Sequence, residues 1–286
     1  MASTRPGRAT ASFRGDKQNK AYEKLGFDNA IEVEQQPEDG DWDPEDVNYN
    51  TFRWITAEAG FAMGPSRVNP LTGQILDADI IFDASFLRHW KQEYENFSPA
   101  AIASLAGDQD PLPGNLLPFL GDRGHQMGCR LSVGMQRQMG FAAAALAGRG
   151  DLEKRGELPE EFLMQALKEV VMHEVGHTLG LRHNFKASSW KTLAEIDDPA
   201  KANEPIVASV MDYSPVNIVA AGAKQTAYYS TTIGPYDYWA IEYGYKQVSG
   251  DENAELAKIA SRSGEPGLDY ATDEDTRGSV DPDPLS

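Results

Sequence analysis

Along "PEEFLMQALKEVVMHEVGHTL", apolar residues recur at Leu163, Leu167, Val170, Val171 and Val175, in step with a 3.6-residue turn. The pattern predicts an amphipathic helix over 159–179 with that stripe facing a core. Pro159 and the two glutamates after it suit a first turn, and Gly180 supplies the stop. Helices are also predicted over 130–147, ending "MGFAAAALAG" and stopped by Gly148, and over "YDYWAIEYGY" at 236–245. A shorter one fits "KQNKAYEKLGF", with Gly26 as its end. Alternating or β-branched positions predict strands at "AIEVEQ" (30–35) and "YNTFRWITA" (49–57). "GFAMGPSRVNPLTGQILDADIIFD" predicts two strands joined by a turn at 69–73, where Pro70 and Gly73 have the turn chemistry.

Between these elements "PEDGDWDPED" and "LPGNLLPFLGDRG" read as loops. Residues 1–16 read as a flexible leader. The end "YATDEDTRGSVDPDPLS" is acidic and contains proline, so it is expected to be poorly ordered.

Composition narrows the function classes. A chain of 286 residues with 41% hydrophobic and 24% charged residues can bury a sizeable core, as one large domain or two small ones. A net charge of −18 argues against nucleic-acid partners, which demand clustered Lys and Arg, and against anionic membranes. No apolar run approaches the roughly 18–20 residues of a membrane span. The N-terminus lacks the apolar core of a secretory signal. One cysteine, Cys129, leaves neither an internal disulfide nor multi-cysteine zinc ligation open.

Candidate chemistry is concentrated in "HEVGHTLGLRHNF". Three of the chain's five histidines fall there, as His173, His177 and His183. On a helix, His173 and His177 share a face one turn apart, so both imidazoles can reach one Zn²⁺. Glu174 lies about 100° around the helix, close to the metal without being its natural ligand. A carboxylate there can take a proton from a metal-bound water. Gly180 lets the chain leave the helix abruptly and return His183 as a third ligand. Three protein ligands leave a fourth position open, the arrangement of a catalytic zinc. His89 and His125 read as ordinary partly buried or surface histidines, and Cys129 as a free thiol. Asp77, Asp79 and Asp83 could supply oxygen ligands to a Ca²⁺ ion, or form a solvated strand face or turn.

HExxHxxGxxH is the metzincin motif, and "SVMDYSPVN" resembles the methionine turn of that family. The resemblance implies that Met211 forms a hydrophobic floor under the ligands, and that Tyr213 lies near the zinc and helps hold an oxyanion. Asn184 and Phe185 after the third histidine depart from matrixins, adamalysins, serralysins and astacins. A local similarity to pappalysin-type sequences lacks their flanking cysteines. The wider resemblance, over about residues 18–285, is to bacterial EcxA-like zinc-dependent metzincins. It is carried by blocks such as "AYEKLGFDNAIEV", "DWDPEDVNYNTFRWI" and "GPYDYWAIEYGY".

That resemblance implies an α+β catalytic domain, with a twisted mixed sheet, a backing helix and the active-site helix over 17–180. A smaller irregular lower subdomain would span 181–262, followed by an acidic tail at 263–286. It implies a zinc endopeptidase, monomeric and extracytoplasmic, with Glu174 as general base. The peptide substrate would be added as a strand at a sheet edge, for which "GQILDADIIFD" (73–83) is the candidate, with an internal strand as the alternative. The family's usual first strand is not visible ahead of the initial helix, and the acidic end reads as a truncated continuation. A zinc-binding module without catalysis and a zinc hydrolase for a non-peptide substrate are the competing classes.

Overall fold

The stripe at 163–175 is covered as its period predicts, and its helix organises the rest of the chain. The computed structural model describes residues 16–37, 43–56, 62–85, 88, 90, 131–149 and 159–276. His89, His125, Cys129 and the leader up to residue 15 lie outside them. Helix α1 spans Asp16–Glu23, α2 Leu131–Arg149, α3 Glu160–Thr178, α4 Pro235–Tyr245 and α5 Glu252–Ala260. Strands β1 Phe52–Ile55, β2 Ala62–Met63 and β5 Ile80–Asp83 form a sheet of order β1-β5-β2. β1 is parallel to β5, and β2 antiparallel to it. Strands β3 Ser66–Val68 and β4 Ile75–Ala78 form a separate antiparallel hairpin. Helices with a small mixed sheet make an α+β domain. Among the described residues, no helix is long and apolar enough to cross a membrane.

α3 packs between two apolar clusters. On one side Phe162, Ala166, Val170, Val171 and Val175 meet Phe82 of the sheet, Trp90, and Met135, Met139 and Leu146 of α2. On the other, Met172 meets Ala21 and Tyr22 of α1, Ile241 of α4, and Val210 and Met211. Every residue from Glu169 to Gly176 is therefore buried. A helix enclosed all round should be apolar, yet this stretch contains Glu169, His173 and Glu174. Burying such groups costs free energy unless each has a task or a partner.

Several expectations are corrected. No strand forms at 30–35: residues 32–37 are irregular and exposed, and Val33 is half exposed. The backbone of Ile31 pairs with the side chain of Asn19 instead, accepting from Nδ2 at 2.7 Å and donating to Oδ1 at 2.8 Å. The two strands expected at 60–83 are four short ones. The chain changes sheet at Asp79, whose Oδ1 accepts from the Thr51 hydroxyl at 2.6 Å and the Thr51 N–H at 3.1 Å. Gly148 does not stop α2, which continues to Arg149. The Arg149 guanidinium holds the carbonyls of Val219 and Ala223 and the Gln225 side chain. α5 adds to the expected helices and is capped by Asp251, which accepts from the Ala254 N–H at 3.1 Å.

The acidic end is structured over 270–276. Ala271 and Thr272 are buried and a helical turn spans Asp273–Thr276. The candidate peptide edge at 73–83 divides: β5 is bonded on both sides and is internal, whereas β4 pairs only with β3 among the described residues. The sheet edge next to α3 is β2, which packs against it.

Candidate metal centre

The end of α3 delivers two imidazoles, and the way the helix stops delivers the third. Gly180 has φ +82°, a left-handed conformation that side chains disfavour. Its N–H donates to the His177 carbonyl at 2.9 Å, and the Leu181 N–H to the Gly176 carbonyl at 3.0 Å. This pair of bonds is the Schellman closure. It reverses the chain so that the Leu181 carbonyl faces His177 and His183 comes back over the helix end.

Each ring is held through Nδ1. His173 Nδ1 lies 2.7 Å from the Val210 carbonyl, His177 Nδ1 3.1 Å from the Leu181 carbonyl, and His183 Nδ1 2.9 Å from the Asp273 carboxylate. Carbonyls and carboxylates only accept, so all three rings donate from Nδ1. Every Nε2 then carries a lone pair, and these lone pairs converge. The ligand atoms of the three histidines lie within 4.8 Å of one another, with His177 and His183 Nε2 3.2 Å apart. Two acceptors at that separation have no ring proton between them, an arrangement that a cation resolves. Two imidazoles on one tetrahedral zinc, at roughly 2.0–2.1 Å each, stand about 3.3 Å apart. The residues fit that ion.

Burial keeps the His173 and His177 rings uncharged. It pushes His173 well below the ordinary histidine range, assisted by His177 and His183, and brings His177 down to about 4, assisted by His183. Neutral rings bind metal without proton competition near pH 7.

Glu174 follows His173 on the helix and is fully buried. Met211, also fully buried, packs against Gly176 of the same helix. Its sulfur takes the space over Gly176, where a Cβ would come within 2.2 Å of Sδ. The Met211 carbonyl accepts from the Asn184 N–H at 3.0 Å, tying the turn to the third-histidine loop. Tyr213 places its hydroxyl 3.1 Å from His183 Nε2; because that nitrogen accepts, the tyrosine donates. Phe185 packs on both rings, with centroids 5.2 Å from His183 and 5.3 Å from Tyr213. Asp77, Asp79 and Asp83 are taken up separately, by Arg67, Thr51 and the Ser85 N–H.

Four carboxylates around the site are absent from the motif reading. Asp237, in the first turn of α4, accepts from Ser209 Oγ at 2.6 Å, from the Val210 N–H at 3.0 Å and from the Gly234 N–H at 2.8 Å. It thus fixes the segment whose carbonyl orients His173, and burial lifts it to about 6 against those three donors. Asp212 accepts from the N–H groups of Ser188 and Tyr213, both at 2.7 Å. Asp273 holds His183. Glu169 lies one turn before His173 and accepts from the Ser230 N–H at 3.0 Å. A signal existed for Glu169, an acid beside the apolar stripe. None existed for Asp273.

Burial raises the Glu169 carboxyl to about 8, outweighing the Ser230 hydrogen bond. Folded chain keeps this proton where unfolded chain, with the ordinary value of 4.5, has lost it. The group's contribution to stability is therefore complete below about pH 4.5 and drains away as pH rises to about 8. Glu169→Gln is expected to remove that slope. Unfolding free energies measured by denaturant across pH 4.5–8 should show the variant gaining on the parent towards the alkaline end, and parallel profiles would contradict it.

No curated protein and no solved structure matches the chain. Residues 155–286, which contain the three histidines, Glu174, Met211, Tyr213 and Asp273, match the family described as Met-zincin.

Proposed function

We propose that this protein is a zinc-dependent endopeptidase of the metzincin type, nearest in its sequence blocks to the EcxA-like group. The observation that carries the reading is the convergence of three Nε2 lone pairs whose rings are all locked through Nδ1. The Met-zincin match over the same residues supports it.

His173, His177 and His183 would hold the zinc, which would supply Lewis acidity to a carbonyl oxygen and acidify water. The Glu174 carboxylate takes the proton released as water adds to the carbonyl carbon. It returns that proton to the leaving nitrogen as the C–N bond breaks, so one group serves as base and then as acid. Tyr213 now donates to His183 Nε2, the lone pair that a metal uses. With that lone pair engaged, the hydroxyl is available to the oxyanion of the tetrahedral intermediate. Phe185, packed on His183, excludes water from that side of the ligands. A peptide adding as a strand meets the sheet at β2, the edge against α3.

The test is digestion of a mixed quenched-peptide library by zinc-loaded protein, with the products identified by mass spectrometry. Cleavage of internal peptide bonds, abolished by a chelator and restored by zinc, is expected. Full zinc occupancy with no cleavage would leave a binding module and overturn the proposal.

A further inference from the structure

Two of the three histidines are oriented by main-chain carbonyls, Val210 for His173 and Leu181 for His177. The third differs. His183 donates to a side chain 90 residues away, the carboxylate of Asp273. Asp273 does not reach the ring from a loose end. Residues 268–276 run across the third-histidine loop as a strap, and each of residues 182–185 is fastened to it. The Arg182 guanidinium pairs with Glu274. Asn184 Nδ2 donates to the Asp269 carbonyl at 2.9 Å, and its Oδ1 accepts from the Ala271 N–H at 3.3 Å. The Phe185 N–H donates to the Ala271 carbonyl at 2.8 Å.

The strap is seated as well as bonded. Leu268, Ala271 and Thr272 are buried, and Tyr270 stacks on Tyr236 of α4 with centroids 5.7 Å apart and planes 5° from parallel. Around Asp273 the chain closes on itself: the Thr272 N–H donates to the Asp275 side chain at 2.7 Å, and the Asp275 N–H to the Thr272 carbonyl at 2.9 Å. The His183 side chain is only 11% exposed and that of Asp273 34%, so this contact is not an exposed ion pair of negligible weight.

On these grounds we propose that Asp273 is a positioning residue of the metal centre, acting through its own carboxylate. Its carboxylate fixes the His183 tautomer with Nε2 turned to the other two ligands and raises that nitrogen's strength as a donor, the effect of an outer-shell carboxylate on a ligating imidazole. The inference rests on the zinc-site reading above.

The experiment measures zinc affinity by chelator competition on the full chain, for the parent, Asp273→Ala, Asp273→Asn and Arg182→Ala. Asp273→Ala is expected to weaken zinc binding by about 10–100-fold. Asp273→Asn, whose amide oxygen still accepts, recovers part of that loss. Arg182→Ala cuts a neighbouring exposed ion pair of the same strap and stays within about twofold of the parent. Parental affinity in folded Asp273→Ala overturns the assignment. An equal loss in Arg182→Ala also does so, because the strap rather than the carboxylate would be the cause. Should Asp273→Ala fail to fold, Asp273→Asn with cobalt(II) in place of zinc decides. A shifted ligand-field absorption band with weaker binding supports the role, and an unchanged band with parental affinity overturns it. A parent that binds no zinc would instead sink the underlying reading.

Discussion

Glu174→Gln is expected to bind one zinc per chain as the parent does and to hydrolyse peptides about 10²–10⁴-fold more slowly, the range of a lost general base. The substitution replaces one carboxylate oxygen by an amide nitrogen at constant volume, at a position with no exposed surface. It therefore leaves the packing of α3 in place while removing the proton acceptor. The loss should fall on kcat and on kcat/KM about equally, since the proton moves only on the way to the transition state. Zinc content by elemental analysis, read beside the kinetics, separates the alternatives. Retained turnover would remove Glu174 from the chemistry, and lost zinc would make it part of the metal's hold.

His177→Ala should abolish stoichiometric zinc binding, and with it the metal's contribution to stability. Two imidazoles remain, His173 and His183, which cannot build a three-ligand site. Free zinc at about a thousand times its dissociation constant stabilises a folded protein by roughly 4 kcal/mol. Titration with zinc should therefore raise the thermal midpoint of the parent by several degrees and leave the variant's flat. The metal-depleted variant itself should fold, because the deletion relieves the opposed lone pairs of His177 and His183 3.2 Å apart. A zinc-dependent midpoint in His177→Ala would show that the ligand set is assigned wrongly.

What the sequence revealed of this architecture follows the range of the interactions involved. The α3 stripe, the four-residue histidine spacing and the Gly180 stop are local, set by one turn of helix and one left-handed residue, and each is visible in "HEVGHTLGLRHNF". The β3–β4 turn is local as well, with Gly73 at φ +72° and its N–H on the Asn69 carbonyl at 2.8 Å. "AIEVEQ" failed because alternation says only that a strand is affordable. Whether one forms depends on a partner, and Asn19 takes the Ile31 backbone first. The part of the acidic end within the described residues, 270–276, defied expectation for the opposite reason. Its composition speaks for solvation, whereas its order comes from residues 182–185, about ninety positions earlier, through backbone and side-chain contacts that no local pattern encodes. Asp237 is intermediate, since "GPYD" announces a helix start but not that the carboxylate also holds Ser209 and Val210.

The central claim is that three histidines hold one zinc and that this zinc drives peptide hydrolysis. Its most direct test is a single titration of metal-stripped protein with zinc, following bound metal and peptide turnover in the same samples. The account predicts that both rise together and level off at one zinc per chain. Binding that saturates at one equivalent while turnover stays at background would contradict it.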